Sequence, residues 1–455
     1  MPYDNKIFPT LKKGYKLHKG PKYGYVYPFT LGSNDTGHVI NEDAARILNK
    51  CDGNTSLEDI ARELAFQDKE DYNSVLLTIK SYLEESKSFV VLLNKKTDLK
   101  FQSTGNWDMQ TPTHASIELT YYCNFSCKHC YINSNPNNNE FWETNKLLEI
   151  LLDLKNLGIL IVELTGGEPL AHPDFIQIIE RCLQLFPVVG VDTNGYLLKQ
   201  SHINLIKKYS NRVFFQVDMH GDDPKYVDWF CNHEGAFENA KKAIMMLSKE
   251  KIIVRAAMTL TPLNIHQIFP TISLVKNLGA TNMILSTVVP TGRGDSSELI
   301  FSPNDIENLI KQVELAKQEF GDFLFENPEY IPIVGETNDN KLNCGAASRS
   351  LCFTPNGDIK MCPMSNPKDF SLGNVYKESI HTILQKNISA LLIELEDPRP
   401  EICGDCEHLW YCQRCIARGL QKYYEINNSC VWGKNPKLTS ILKEFKEFDR
   451  SFNRP

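Results

Sequence analysis

The sequence predicts an α/β protein with a partial (β/α)6 barrel at its centre. From about residue 115 to 290, short segments rich in β-branched residues alternate with helical patterns, which is typical of parallel strand–helix units. Before them strand and helix patterns are mixed, and after them turns, glycines and cysteines dominate. Because domains of roughly 150 residues are common, a chain of 455 residues is expected to form three parts. We expect their boundaries at 1–100, 101–335 and 336–455.

The composition is that of a folded globular protein. Hydrophobic residues make up 42% of the chain and charged residues 23%, values near the averages for folded domains. The net charge of −7 argues against nucleic acid as a partner. Neither a signal-peptide pattern nor a run of about 18 apolar residues occurs. We therefore expect a cytoplasmic protein that neither binds nor spans a membrane.

In the first 100 residues, local patterns predict two strands and three helices. The strands are predicted at YGYVYPFTL (23–31) and SFVVLL (88–93), which are rich in aromatic and β-branched residues. Helices are predicted after Asn41, after the capping residue Ser56 and over about 70–86. The polar stretch TDLKFQSTGN is expected to be a linker.

The central part contains six predicted strands. In order, they are SIELT, ILIVELT, VVGVDT, VFFQVD, IIVRAAMTL and NMILSTVV. By analogy with other barrels, reactive groups are expected at the carboxyl ends of parallel strands. The residues that follow these strands are therefore the candidates for a functional site.

Three cysteines follow the first predicted strand. Cys123, Cys127 and Cys130 have the spacing C-x3-C-x2-C. Three thiolates on one loop can hold three irons of a four-iron cubane, and the fourth iron then remains free to bind another molecule. The spacing also leaves open a zinc site completed by His129, or a set of buried free thiols.

Polar groups and glycines follow the next strands. The loop TGGEP (165–169) offers backbone groups for close approach of a ligand, and its glutamate can accept a hydrogen bond from an ammonium group. Hydroxyl, amide, carboxylate and guanidinium groups on the third, fourth and fifth strands suit a ribose and an amino-acid carboxylate. These residues are Thr193, Asn194, Gln216, Asp218 and Arg255.

Eight further cysteines lie in the C-terminal part. Eight thiolates are enough for two complete cubanes, although the C-x2-C pairs that begin at 403 and 412 can equally bind zinc. Eleven of the fourteen cysteines lie within 123–130 and 344–430, and such clustering indicates metal or iron–sulfur ligation rather than disulfides. The eight are Cys344, Cys352, Cys362, Cys403, Cys406, Cys412, Cys415 and Cys430.

The other three cysteines lie outside these zones. Cys51 and Cys182 fall in helical patterns and are expected to be small buried hydrophobes. Cys231 follows the fourth strand and either has the same role or approaches the mouth of the barrel.

The three-cysteine loop and the GGEP loop together resemble radical S-adenosylmethionine (SAM) enzymes over residues 115–290. The resemblance implies a [4Fe-4S] cluster on the three cysteines, whose open iron chelates the methionyl amine and carboxylate of SAM. It also implies one-electron cleavage of SAM to a 5′-deoxyadenosyl radical, which abstracts hydrogen from a substrate. The expected cofactor-binding residues are His129, Gly166, Gly167, Glu168, Pro169, Thr193, Asn194, Gln216, Asp218 and Arg255.

The C-terminal cysteines resemble the SPASM domain of radical enzymes that modify peptides. This resemblance implies two auxiliary [4Fe-4S] clusters. Only two residues separate Cys412 from Cys415, where three are usual, and many family members lack a cysteine at the position of Cys352. Cys352 therefore either closes the nearer cluster or leaves it open to substrate. The implied ligand sets are Cys344, Cys352, Cys362 and Cys415 for the nearer cluster, and Cys403, Cys406, Cys412 and Cys430 for the farther one.

Two stretches near the N-terminus, VINEDAARIL and CDGNTSLEDIA, resemble the winged-helix-like recognition element of ribosomal-peptide maturases. Such an element binds a leader peptide as an added strand. A tethered core peptide then meets the active site at an effective concentration of order millimolar. Lysines between positions 12 and 22 can attract an acidic leader, or they form an ordinary solvated surface.

The order of the three parts resembles thioether-forming (sactipeptide) maturases of the subtilosin A type, as do the stretches ASIELTYYCNFSCKHCY and FSLGNV. The resemblance implies hydrogen abstraction from a carbon of a precursor peptide, usually an α-carbon, and attack by a cysteine sulfur. It also implies an external one-electron donor such as flavodoxin or ferredoxin. The alternatives are a maturase that forms carbon–carbon links or oxidises a side chain, and a non-catalytic, zinc-stabilised peptide-binding scaffold.

Overall fold

The structure is a computed structural model in which the chain forms two compact units, residues 1–111 and 112–455. None of the helices described is both long enough and apolar enough to cross a membrane. The residues that the structure describes are 7–28, 37–97, 103–324, 343–365, 370–386, 388–426 and 429–450.

The N-terminal unit combines two small sheets with three helices. Strands β1 (Phe8–Leu11) and β5 (Val90–Leu93) pair antiparallel. The second sheet has the order β4–β3–β2–β6, with β6 parallel to β2 and the other pairs antiparallel. Its strands are β2 (Tyr15–Lys19), β3 (Tyr23–Pro28), β4 (His38–Asn41) and β6 (Ser103–Gly105). The helices are α1 (Glu42–Lys50), α2 (Leu57–Asp68) and α3 (Tyr72–Glu85).

Two helices of this unit, α1 and α2, begin directly after Asn41 and Ser56, as the sequence predicts. The side chain of Asn41 accepts a hydrogen bond from the Ala44 amide, and that of Ser56 accepts one from the Asp59 amide. Strands β1, β2 and β4 were not predicted, and the stretch expected to be a linker contains β6. These strands have three to five residues, which is too short for a distinct pattern. The last part of the strand predicted at 23–31 lies outside the described residues.

In the C-terminal unit, all six predicted barrel strands form and run parallel. The predicted α/β class is confirmed. These strands belong to one open sheet of nine, in the order β12–β11–β10–β9–β8–β7–β13–β14–β15. The six are β7 (His114–Thr120), β8 (Ile161–Gly166), β9 (Val188–Thr193), β10 (Val213–Asp218), β11 (Ile253–Leu260) and β12 (Asn282–Thr287).

Helices connect the parallel strands, and alternate side chains of each strand face opposite sides of the sheet. On β11, for example, Val254 and Ala256 are fully buried, whereas Arg255 and Ala257 are partly exposed. The apolar side packs under the helices, so the partly exposed polar side lines the barrel. The helices are α4 (Thr144–Asn156), α5 (Phe175–Leu185), α6 (Gln200–Ile206), α7 (Pro224–Cys231), α8 (Ala236–Lys249), α9 (Ile268–Asn277) and α10 (Pro303–Phe320).

The cysteine-rich part continues the central sheet, which the sequence did not predict. Strand β13 (Ser350–Phe353) pairs parallel with β7, and β14 (Asp358–Lys360) and β15 (Ser371–Asn374) extend the sheet antiparallel. Among the described residues, six α-helices complete this part. They are α11 (Ile380–Leu384), α12 (Ile388–Ile393), α13 (Pro400–Cys403), α14 (Leu409–Cys412), α15 (Ile416–Ile426) and α16 (Pro436–Arg450).

A buried ion pair links the barrel to these added strands. Lys360 Nζ on β14 lies 2.7 Å from Glu118 Oε1 on β7, and the two side chains are 1% and 0% exposed. The same ammonium group donates to the carbonyl of Pro363 at 2.9 Å. Since β13 separates β7 from β14 in the sheet, the pair spans one strand.

Replacing Lys360 with methionine should destabilise the protein markedly. The change leaves the Glu118 charge buried without its partner, which typically costs about 3–5 kcal/mol. The thermal midpoint of the anaerobically purified protein measures the effect. Lys241→Met is the matched control, because it breaks an exposed pair with Glu238 that is worth less than about 1 kcal/mol. Equal midpoints for the two variants would contradict the prediction.

Candidate active site

The three-cysteine loop, residues 121–135, leaves the carboxyl end of β7. Backbone hydrogen bonds connect the loop to neighbouring segments. The Tyr121 amide donates to the Glu140 carbonyl at 3.0 Å, and the Lys128 amide donates to the Phe230 carbonyl at 2.9 Å. Within the loop, the Cys130 amide donates to the Cys127 carbonyl at 3.2 Å. These bonds hold the loop through its backbone and leave the thiols to other partners.

The three thiols are poorly solvated. Burial raises the pKa of Cys123 and of Cys130, and a hydrogen bond with Cys231, followed by burial, raises that of Cys127. Metal binds the thiolate form, so thiols of this kind become ligands where a metal supplies positive charge. Three of them on one loop fit an iron–sulfur cluster with one iron free of protein ligands.

The ring of His129 packs between other rings beside this loop. It stacks on Phe230 with a centroid distance of 4.4 Å and meets His220 edge-on at 4.5 Å. Burial lowers the pKa of His129, and the neighbouring His220 lowers it further. A neutral, stacked imidazole therefore forms one wall of the site.

The GGEP loop packs directly against the three-cysteine loop. The Gly167 amide donates to the Thr120 carbonyl at 2.7 Å, and the Glu168 amide to the Tyr122 carbonyl at 2.8 Å. A Cβ atom on Gly167 would lie 2.0 Å from the Tyr122 oxygen, and Gly166 has a φ of +115°. The two glycines thus permit close contact between two loops, a role that the sequence did not predict.

Glu168 joins a third loop to these two. Its Oε1 accepts from the Leu170 amide at 3.0 Å and the Thr193 hydroxyl at 2.8 Å, and its Oε2 accepts from the Asn194 amide at 2.9 Å. Burial raises the pKa of Glu168 to about 7, against the opposing effect of these donors. The Asn194 side chain in turn donates to Asn124 Oδ1 at 3.0 Å. Glu168, Thr193 and Asn194 are therefore brought together beside the thiols.

Of the residues predicted on the fourth and fifth strands, Asp218 interacts with a thiol of the three-cysteine loop. It ends β10, and its charge interacts with Cys127 and Glu168. Burial, followed by the charge of Glu168, raises the pKa of Asp218 to about 7. Gln216 is two residues further back and pairs in register with Arg255.

Arg255 belongs to a charged group inside the barrel. Its Nη2 lies 2.7 Å from Glu163 Oε1 and 4.0 Å from Asp192 Oδ1, and the guanidinium covers the ring of Phe214. His114 Nε2 lies 3.3 Å from Glu163 Oε2. The sequence analysis missed Glu163, Asp192 and His114. The alternation in IVELTG, which puts Glu163 on the same face as Thr165, was the available sign.

Four of the C-terminal cysteines line one pocket. Cys403, Cys406, Cys412 and Cys430, together with Trp432 and other residues, line a pocket of about 300 Å³, a volume that includes open solvent. The charges of Cys430 and Cys406 both act on Cys403 and Cys412. The donor set of this pocket fits a cubane with four protein ligands.

Cys352 and Cys362 lie near the buried Lys360, and Cys344 lies near Cys362. Burial, followed by the charge of Cys344, raises the pKa of Cys362 to about 11, and burial followed by the Glu118 charge raises that of Cys352. The thiol of Cys415 accepts from the Arg418 amide at 3.5 Å. Whether Cys352 ligates metal stays a prediction.

The remaining cysteines differ from one another. Cys51 and Cys182 are fully buried and lie in or beside helices. Cys231 ends α7, and its hydrogen bond with Cys127 brings it to the candidate site. Of the two roles considered for Cys231, the structure therefore favours the one near the barrel mouth.

Protein-family models match both cysteine-bearing parts of the chain. Residues 117–275 match the radical SAM superfamily, and residues 344–407 match SPASM, an iron–sulfur cluster-binding domain. Over 355 residues the chain is 31% identical to the AdoMet-dependent heme synthase of Methanosarcina barkeri, an alignment that covers 72% of this chain and 98% of that protein. This chain belongs to the radical SAM superfamily.

Other relatives match this radical SAM chain over more of its length. It is 28% identical over 453 residues to the antilisterial bacteriocin subtilosin biosynthesis protein AlbA of Bacillus subtilis, covering 96% of this chain and 99% of AlbA. Streptococcus suis SuiB, solved bound to precursor peptide SuiA, shares the fold with a TM-score of 0.66 and 16% identity, over 91% of this chain and 97% of SuiB. The radical SAM chain is thus an enzyme that uses SAM and iron–sulfur clusters, and those expectations are confirmed.

Cys127→Ala should abolish cleavage of SAM, because two thiols cannot hold the cluster in the required position. The readouts are the iron content and the 5′-deoxyadenosine formed by the anaerobically reconstituted, reduced enzyme. Cys231→Ala is the matched control. It removes a thiol that forms a hydrogen bond with Cys127, but Cys231 lies outside the three-cysteine motif. Undiminished 5′-deoxyadenosine from Cys127→Ala, or its complete loss from Cys231→Ala, would contradict the assigned ligands.

Proposed function

We propose that this radical SAM enzyme is a peptide maturase that installs a bond between a cysteine sulfur and a carbon of a ribosomally made precursor peptide. The observation that carries the proposal is the full-length match to AlbA, whose name assigns it to subtilosin biosynthesis. The likeness to the SuiB complex supports a fold that accepts a precursor peptide.

The residues of the barrel have separate roles in this proposal. Cys123, Cys127 and Cys130 would hold the cluster, and when bound there SAM supplies the one-electron chemistry that abstracts hydrogen from carbon. Through its contacts with Thr193 and Asn194, Glu168 holds three loops together beside the cluster site. A fixed geometry matters because a carbon and a sulfur must be held within a few ångströms of each other to react.

The interior of the barrel is suited to orient a polar chain. Glu163, Asp192 and Arg255 lie on the strand faces that line it, and Asp192 Oδ1, Arg255 Nε and Asn282 Oδ1 are buried without a hydrogen-bond partner. Buried polar atoms are rarely left unpaired. We propose that amide groups of the peptide pair with them when the substrate binds.

We propose that the N-terminal unit binds the leader of the precursor. Strand β4 forms one edge of its four-stranded sheet, and Val39 on β4 is 40% exposed. An edge strand offers unpaired backbone groups to which a peptide can add as a further strand. Once the leader is bound, the core peptide reaches the barrel as an intramolecular partner.

The cysteine-rich part and the cellular setting complete the proposal. Its thiols would hold auxiliary clusters, with the four that line the pocket forming one ligand set. All fourteen cysteines are free of disulfides, which suits a reducing compartment. We propose that the enzyme works in the cytoplasm and takes electrons from a flavodoxin or ferredoxin.

The product should be a thioether. We expect coexpression with a short cysteine-bearing peptide encoded beside the gene to remove two hydrogens per crosslink, since one C–H and one S–H bond are replaced by one C–S bond. Mass spectrometry before and after alkylation measures both the mass loss and the loss of one free thiol. The same mass loss with every thiol still alkylatable would contradict the thioether and favour a carbon–carbon link.

Removal of residues 1–111 should abolish peptide modification and spare SAM cleavage in the absence of peptide. The reason is that the cluster ligands and the GGEP loop all belong to the unit of residues 112–455. Peptide mass and 5′-deoxyadenosine are measured in parallel for the full-length and truncated proteins. Full modification of the precursor by the truncated enzyme would rule out leader binding by the N-terminal unit.

A further inference from the structure

The turn that follows β12 lies against the three-cysteine loop. This TGRG turn comprises residues 291–294, and the amide of Arg293 donates to the Cys130 carbonyl at 3.0 Å. A Cβ atom on Gly292 would lie 2.6 Å from the oxygens of Cys130 and Tyr131, and the φ of Gly292 is +60°. A side chain at this position would therefore push the two segments apart.

The Arg293 side chain extends this contact along the loop. Its Nε donates to the Cys127 carbonyl at 2.8 Å, and its Nη2 donates to the Ser134 carbonyl at 2.6 Å. With its backbone amide, Arg293 binds three carbonyls of a single loop, one on each of Cys127, Cys130 and Ser134. Two of these carbonyls belong to assigned cluster ligands.

The partners of the Arg293 guanidinium are backbone carbonyls, and among the described residues no aspartate or glutamate lies within ion-pair distance of it. Its positive charge is instead held against the backbone of two assigned ligands, through the Nε contact with the Cys127 carbonyl and the amide contact with the Cys130 carbonyl. An arginine keeps its charge at any accessible pH.

We propose that Arg293 is a positioning residue for the radical SAM cluster. Arg293 holds the three-cysteine loop in place, and its positive charge makes the cluster easier to reduce. The inference rests on the proposed ligands Cys123, Cys127 and Cys130. Reduction adds one negative charge to a cluster, so a fixed cation beside its thiolates stabilises the reduced form. The reduction potentials of iron–sulfur clusters depend on net charge and on hydrogen bonds near the sulfurs.

The test compares Arg293→Gln and Arg293→Lys with the wild-type enzyme and with Arg212→Gln. Arg212 is a matched control because its Nη2 also donates to a backbone carbonyl, that of Leu183. Arg212 directly precedes β10, so it lies at the amino end of that strand, whereas the three-cysteine loop lies at the carboxyl ends of the strands. Potentiometric titration followed by electron paramagnetic resonance measures the midpoint potential. Addition of SAM identifies the signal of the open-iron cluster, since SAM binds there.

We expect Arg293→Gln to lower the midpoint potential of the SAM-sensitive signal and Arg293→Lys to restore part of the shift. Loss of iron to a chelator should be about tenfold faster in Arg293→Gln, as expected when a charge-assisted hydrogen bond is lost. Arg212→Gln should match the wild type in both measurements.

Wild-type values for both Arg293 variants would overturn the proposal. An equal fall in potential for glutamine and lysine would overturn the role of charge. If the wild-type enzyme itself gave no SAM-sensitive signal, the ligand assignment would fail, and this result is distinguishable from a failure of the role of Arg293.

Discussion

The arrangement of this enzyme depends on holding a thiol-bearing loop firmly while its thiols stay available. The structure does this through the backbone of the loop. The Lys128 amide donates a hydrogen bond to the Phe230 carbonyl on α7, and the Glu168 amide donates one to the Tyr122 carbonyl. The Arg293 side chain donates one to the Cys127 carbonyl. Because each contact uses a peptide group of the loop, none of them occupies the sulfur atoms that we propose as cluster ligands. The position of the site is thus set by its neighbours and does not depend on the cluster alone.

The same sheet connects the barrel with the cysteine-rich part. Strand β13 pairs directly with β7, so Cys352 lies one strand away from the strand that leads to Cys123. The buried pair of Glu118 and Lys360 adds a second connection across β13. Shared strands of this kind restrict relative motion, because displacement would break a continuous ladder of hydrogen bonds. A fixed separation would suit electron transfer between the proposed metal centres.

Polarity separates the two faces of the barrel strands. The outward faces carry fully buried apolar residues such as Val254 and Met258, while the inward faces carry Glu163, Asp192 and Arg255. Charges at this depth are costly unless they are paired. Arg255 offsets the free energy of burying its charge through contacts with two carboxylates and an aromatic ring. The interior can therefore remain polar enough for a peptide without weakening the core.

The sequence by itself determined the six barrel strands, the caps of α1 and α2 and the spacing of the thiols. All of these depend on residues that are close together along the chain. Only the tertiary structure decided that Arg255 pairs with Glu163, that the thiols of Cys231 and Cys127 form a hydrogen bond and that the TGRG turn contacts the three-cysteine loop. The short strands β6 and β13 were also recognised only in the tertiary structure. Such partners lie tens to hundreds of residues apart, and periodicity carries no information about which distant segment a side chain will meet.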